Sequence, residues 1–161
     1  MRTRRQILSS GGLGLAALAI GSLALPALAA SDHLVRDDAE WRKSLSPDQY
    51  SVLRQASTER PFSSPLLHEA RSGAFACAGC DQPVFSSKTK FDSGTGWPSF
   101  WAPIEGAVAA SADSSFGMSR TAVSCSRCDG HLGHVFNDGP KPTGLRYCIN
   151  GVALKFIAAA A

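Results

Sequence analysis

Gly73-Ala74-Phe75-Ala76-Cys77-Ala78-Gly79-Cys80 is the stretch at which the chain changes character. Small and apolar residues run up to a first cysteine, a two-residue spacer follows, and a second cysteine closes the motif. From Phe75 onward the sequence is a series of short apolar runs separated by Gly, Pro, Asp and Ser, the pattern of a compact β-rich domain. Strands are expected over residues 73–77, 118–124, 134–136, 145–150 and 152–157. Gly139-Pro140-Lys141-Pro142-Thr143-Gly144 must be a turn or loop.

Upstream of this region the pattern is helical. Ser46-Pro47-Asp48-Gln49 reads as a helix start, with Ser46 as cap, Pro47 in the first turn and Gln49 three residues past the cap. Tyr50, Leu53 and Ala56 continue one apolar face, and Arg60-Pro61-Phe62 with Ser64-Pro65 ends it. Residues 30–45 are polar and mixed in charge, a loose arm or a short packed helix.

Residues 1–29 read as a signal peptide. Arg2, Arg4 and Arg5 precede an uncharged run over residues 11–25, and Ala27-Leu28-Ala29 offers the small residues that a signal peptidase needs before Ala30. The run is shorter than the roughly 20 apolar residues that cross a bilayer, and Pro26 closes it. Thr3-Arg4-Arg5-Gln6-Ile7-Leu8 resembles a twin-arginine signal, which exports folded proteins; export of an unfolded chain is the alternative. Either route implies a bacterial periplasm. The 16 basic residues less the three leader arginines leave 13, against 13 acids, so the mature chain is formally neutral. That balance gives no support to a nucleic-acid partner. Residues 46–161 are long enough for one domain with its own core.

The cysteines organise the chemistry. Cys77-Ala78-Gly79-Cys80 and Cys125-Ser126-Arg127-Cys128 share one spacing, and two such pairs make a four-thiolate zinc site, with Gly79 and Asp129-Gly130 supplying tight turns. One structural Zn2+ is therefore expected. A redox-active Cys-x-x-Cys is the alternative for either pair alone, and His131 is close enough in sequence to Cys128 to displace one thiolate. Cys148 is left over: inert and buried, a partner for an intermolecular disulfide, or a reactive nucleophile. Strand alternation through Leu145-Arg146-Tyr147-Cys148-Ile149-Asn150 sets Arg146, Cys148 and Asn150 on one face, where Arg146 would favour the thiolate and Asn150 would hydrogen-bond beside it.

A thiolate nucleophile works best with an acid nearby that can protonate the departing group. His131 and His134 are the candidates, with Asp138 available to orient one ring; the alternative is that either is an ordinary packed or surface histidine. Their spacing of three is not a strand repeat, so Gly133 must help to bring both to one pocket. In Gly94-Thr95-Gly96-Trp97-Pro98-Ser99-Phe100, Trp97 suits the apolar wall of a pocket for a small apolar group, though a structural cluster with Phe91, Phe100 and Trp101 fits the composition equally well. Phe136 carries the same ambiguity.

Residues 41–157 resemble the methionine-R-sulfoxide reductase B family. Six separated motifs stand in the family's order: Thr58-Glu59-Arg60-Pro61-Phe62, the first cysteine pair, Lys90-Phe91-Asp92-Ser93-Gly94-Thr95-Gly96-Trp97-Pro98-Ser99-Phe100, the second cysteine pair, His131-Leu132-Gly133-His134-Val135-Phe136-Asn137-Asp138-Gly139-Pro140, and Leu145-Arg146-Tyr147-Cys148-Ile149-Asn150. The resemblance implies a mainly β fold of two antiparallel sheets with small flanking helices and a structural zinc knuckle pair. It implies peptide-methionine (R)-S-oxide reductase activity on free or protein-bound substrate, with Cys148 attacking sulfur, His134 assisted by His131 protonating oxygen, and Trp97 with Phe136 holding the methyl. Arg146, Asp138 and Asn150 would tune that pair. Where many members carry a recycling cysteine this chain has Thr95, so an external thiol reductant, such as a thioredoxin-like protein, is expected to regenerate a Cys148 sulfenic acid. A monomer is expected. Two rival classes remain: a thiol-disulfide oxidoreductase using Cys77 and Cys80, and a zinc-ribbon-like binding module without catalysis. Zinc content near one per chain separates the first from the zinc reading, and the Arg146/Cys148/Asn150 face argues against the second.

Overall fold

The computed structural model describes residues 33–160, with nine strands in two antiparallel sheets and two short α-helices. The signal peptide expected over residues 1–29 lies outside the described residues. Strands β1 (Gly73–Cys77), β2 (Pro83–Ser86) and β9 (Leu154–Ala158) form a three-stranded sheet with β1 at its centre. The larger sheet runs in the order β3 (Lys90–Phe91), β4 (Ser99–Phe100), β8 (Arg146–Ile149), β7 (His131–Phe136), β6 (Arg120–Cys125) and β5 (Val108–Asp113).

Aromatic side chains build the core between them. Phe75, Phe85 and Phe100 are fully buried; the Phe85 and Phe100 rings stack with centroids 4.4 Å apart, and Phe75 meets Phe100 edge-on at 5.0 Å. Phe100 is thus a core residue, which settles half of the ambiguity left by its neighbourhood with Trp97.

Of the two readings of residues 30–45, the packed helix is the one that forms. Helix α1 (Asp38–Ser44) begins with a reciprocal capping box between Asp37 and Glu40, and it buries Trp41 to 3 % exposure. Helix α2 (Pro47–Gln55) starts as expected from Ser46, whose hydroxyl accepts from the Gln49 N–H. Tyr50 on α2 donates its hydroxyl to Asp38 of α1, tying the pair together.

The expected strand at 73–77 matches β1 in full, and 118–124, 134–136 and 145–150 find β6, β7 and β8 with shifted ends. The strand expected from residue 152 starts later, because Gly151–Ala153 makes a short 3-10 turn before β9. Strands β2, β3, β4 and β5 were not expected. Two are only two residues long, and β5 carries Ala109, Ala110, Ser111 and Ala112, too small and polar to register as a hydrophobic alternation.

Candidate active site and metal centre

The two cysteine pairs fold as near-copies of one knuckle. In the first, the Asp81 N–H donates to the Cys77 carbonyl at 2.9 Å and the Cys77 N–H to the Gln82 carbonyl at 2.8 Å; in the second, Asp129 donates to Cys125 and Cys125 to Gly130, both at 2.9 Å. The left-handed position of each turn is filled by the aspartate after the second cysteine, Asp81 at φ 62° and Asp129 at φ 55°, and not by Gly79 as the sequence suggested. Short polar side chains tolerate that conformation better than other non-glycine residues.

The four sulfurs of Cys77, Cys80, Cys125 and Cys128 lie within 4.8 Å of one another, all buried, with Cys77–Cys128 at 3.7 Å and Cys80–Cys125 at 3.5 Å. A disulfide would need roughly 2.05 Å, so no bond joins them. An ion bound tetrahedrally by sulfur at roughly 2.3 Å requires edges of about 3.8 Å, and the cluster fits that size. His131 is not in this group. Arg54 donates to the Cys128 carbonyl and Arg127 to the Cys80 carbonyl, so cationic side chains brace the backbone of both knuckles.

The second centre lies on one face of the six-stranded sheet. Antiparallel register pairs His134 with Cys148 and Phe136 with Arg146, and the same face continues through Ala122, which pairs with His134 on β6. Directly paired residues place their Cβ atoms roughly 4.5–5.5 Å apart, within reach for a histidine and a thiol. On the other edge of β8, Ser99 pairs with Cys148.

A β-bulge resolves the awkward spacing of the two histidines. Val123 pairs with Gly133 but Ser124 pairs with His131, so Leu132 is the extra residue of β7. An inserted residue shifts the alternation by one and returns His131 to the face of His134. The rings end 5.3 Å apart, edge to face. Gly133 has a different duty from the reorientation expected of it: a Cβ there would overlap the Cys148 carbonyl oxygen, so glycine permits the close approach of β8.

The two rings differ in environment. Burial, helped by the neighbouring His134, pushes the His131 imidazole down to about 4, so it is neutral at physiological pH, and its Nε2 is buried without a hydrogen-bond partner. His134 instead places Nε2 2.7 Å from Asp113 Oδ2, and Arg120 reaches the same carboxylate oxygen at 2.8 Å. Asp113 is held well below the usual carboxylate range by Ser115 and by His134. Asp113 was not singled out in the sequence, where it is one acid in a serine-rich run; only the pairing of β5 with β6 brings it to the histidine. Asp138, expected to orient a ring, makes a two-pronged ion pair with Arg146 at 2.7 and 2.8 Å.

Cys148 is partly exposed, and its sulfur lies 3.8 Å from the Thr95 hydroxyl. Burial raises its thiol pKa, against the opposing pull of Thr95 and of Arg146. The stabilisation expected from Arg146 is present but is outweighed, so the resting thiol keeps its proton at neutral pH. Arg146 also lies over the Phe136 ring, its guanidinium carbon 4.5 Å from the centroid.

Asn150 is buried at 3 % exposure with its amide committed elsewhere: Oδ1 accepts from the Glu59 N–H and Nδ2 donates to the Leu132 carbonyl. Glu59, in the Thr58–Phe62 motif but given no role there, closes this clasp. Its carboxylate accepts from the Gly151 and Val152 N–H groups, and its carbonyl accepts from Trp97 Nε1 at 3.2 Å. Asn150 and Glu59 thereby fix the Trp97 loop against the end of β8. Beside His131 and His134 the sheet face opens into a cleft of about 1030 Å³, floored by Ser111, Ala122 and Ser124 and walled by residues 55–58.

Residues 45–158 match the model of the SelR domain family. Among curated proteins, the chain is 54% identical over 127 residues to a peptide methionine sulfoxide reductase MsrB of Agrobacterium fabrum, covering 78% of this chain and 94% of that protein. It is 56% identical over 125 residues to the MsrB of Bradyrhizobium diazoefficiens, covering 77% of this chain and 90% of the relative. To the MsrB of Pseudomonas entomophila it is 60% identical over 116 residues, 71% of this chain and 88% of that one.

Proposed function

Because this chain belongs to the SelR-domain family of methionine-R-sulfoxide reductases, MsrB, we propose that its peptide-methionine (R)-S-oxide reductase activity runs through Cys148 with His134 as the proton-handling partner. The enzyme reduces methionine-R-sulfoxide to methionine. The observation that carries the residue assignment is the direct cross-strand pairing of His134 with Cys148 on a shared face.

The step balances without water. The Cys148 sulfur attacks the sulfoxide sulfur, the oxygen passes to Cys148 as the S–O bond of the substrate breaks, the methionine sulfur gains two electrons, and Cys148 loses two to become a sulfenic acid. The thiol proton is the one needed on the new hydroxyl. A resting thiol kept protonated by burial therefore suits the reaction, provided a neighbouring base and acid moves that proton from sulfur to oxygen. His134 faces Cys148 and is anchored by Asp113 through Nε2, leaving Nδ1 for the transfer. His131 is neutral beside it. Trp97 and Phe136 form the methyl wall, and Arg146, locked by Asp138, steadies the Phe136 side of the pocket.

Regeneration draws on a thiol from outside the chain. One thiol condenses with the sulfenic acid, releasing water and leaving a mixed disulfide; a second thiol, or the other half of a thioredoxin-like dithiol, resolves it. The four knuckle cysteines would hold one structural zinc ion, which would join the sheets and supply no chemistry to the sulfoxide. Neither the thiol-disulfide oxidoreductase nor the plain binding-module alternative has a finding in its favour.

Cys148→Ser should abolish reduction of methionine-R-sulfoxide while melting temperature and metal content stay as in the parent. Turnover surviving that change would sink the assignment, and a preference for the S epimer would contradict the family reading itself.

The basic, apolar and small-residue segments of residues 1–29 support export to the periplasm by the twin-arginine route. Lysine at both Arg4 and Arg5 should trap the protein in the cytoplasm on cell fractionation; undiminished export would reject that route.

A further inference from the structure

We propose that Phe62 is an apolar contact for the polypeptide flanking an oxidised methionine, so that it selects protein-bound substrate with an apolar neighbour; this rests on the Cys148 reading above. Phe62 is 68 % exposed and is the only aromatic among the large exposed apolar side chains of the described residues.

Its placement is costly and specific. Phe62 takes a left-handed backbone conformation, φ 61°, which bulky L-residues avoid. Three contacts hold it there. Its N–H donates to the Gly96 carbonyl at 2.8 Å, Ser63 Oγ donates to the Arg60 carbonyl at 2.6 Å to close the turn, and one ring edge lies on Gly96. Gly96 is itself at φ 93°, and a Cβ there would come within 2.8 Å of Pro61 and 3.0 Å of the Phe62 ring. The two segments are built to fit each other.

Gly96 stands between Thr95, whose hydroxyl is 3.8 Å from the Cys148 sulfur, and Trp97. With consecutive Cα atoms 3.8 Å apart, the Phe62 ring sits on the order of 10 Å from the thiol. An extended polypeptide advances roughly 3.3 Å per residue, so a side chain one or two places from the oxidised methionine reaches the open ring face. Because the turn already holds the ring in place, contact with it loses little conformational freedom.

Three substrates test this with dithiothreitol as reductant: free methionine-R-sulfoxide, a blocked pentapeptide with leucine on both sides of the R-sulfoxide, and the same peptide with glycine in those places. The wild-type enzyme should favour the leucine-flanked peptide over the glycine-flanked one by about tenfold in kcat/KM, chiefly through KM. Phe62→Ala should remove that preference while free methionine-R-sulfoxide and the glycine-flanked peptide change by less than about twofold, and Phe62→Leu should keep most of it. No flank preference in the wild-type enzyme overturns the inference without any variant being needed. An equal loss on all three substrates in Phe62→Ala overturns it too, making Phe62 a support for the Trp97 loop. Turnover of free methionine-R-sulfoxide by the wild-type enzyme stands apart from both results: it tests the reduction chemistry, and it persists if only the Phe62 inference fails.

Discussion

His131 and His134 lie three residues apart with rings 5.3 Å from each other, yet their surroundings differ. Burial without a hydrogen-bond partner for Nε2 penalises imidazolium at His131, whereas His134 has the Asp113 carboxylate at 2.7 Å. The folded-state value near 4 lies below the ordinary histidine value of 6.5, so the unfolded chain takes up the proton first and stability drains away as pH falls through 6.5 toward 4. Between pH 7 and pH 5 this one ring should cost about 1 to 2 kcal/mol, allowing for its partial exposure. Urea midpoints of the wild type and His131→Asn at both pH values check it: the variant should lose that much less on acidification. Parallel losses in the two proteins would place the histidine in solvent.

The loop from Asp92 to Trp97 brings the Thr95 hydroxyl to the Cys148 sulfur. Asp92 Oδ1 accepts from the Gly94 N–H, and Ser93 Oγ bridges the hydroxyls of Thr95 and Ser99 at 2.8 and 2.7 Å. This hydroxyl chain presents Thr95 to Cys148 at a distance where a cysteine would be a partner for disulfide formation. Without reductant the wild-type enzyme should therefore release about one methionine per chain and stop, its Cys148 captured by a sulfenic-acid reagent. Thr95→Cys should instead lose both thiols after the same single turnover and resist that reagent, while Thr95→Ser behaves as wild type. Peptide mapping distinguishes these outcomes, and a wild-type disulfide from Cys148 to any knuckle cysteine would overturn the one-cysteine cycle.

At the scale of the molecule, the knuckles join what the strands do not. Cys77 ends β1 of the three-stranded sheet and Cys125 ends β6 of the six-stranded one, so an ion bound by both pairs would tie the sheets together. A site assembled from two separate hairpins exists only in the folded chain, so its binding free energy adds to folding. Zinc content should be near one per chain. Cys80→Ser should lose the metal and lower the melting temperature by more than about 10 °C, since several kcal/mol of metal-linked stability is at stake in a domain of this size. Full zinc occupancy and unchanged melting in that variant would remove the metal from the account of stability.

Much of this protein was legible in the chain because the decisive signals are local. Matched Cys-x-x-Cys spacing reports a four-thiolate centre wherever the two loops meet, Ser46 to Gln49 forms its cap from neighbours, and the odd cysteine stands out by count. Gly73 to Cys77 became a strand on its own pattern. What the tertiary structure decided depends on partners remote in sequence. Asp113 meets His134 only through the β5–β6–β7 register, Glu59 meets Asn150 and Trp97 across more than 30 residues, and a bulge at Leu132 turns His131 onto the face of His134. The ionisation of Cys148 belongs to the same class. Arg146 is visible two residues away and argues for thiolate, but the burial that overrules it is contributed by the whole fold and is written in no single motif.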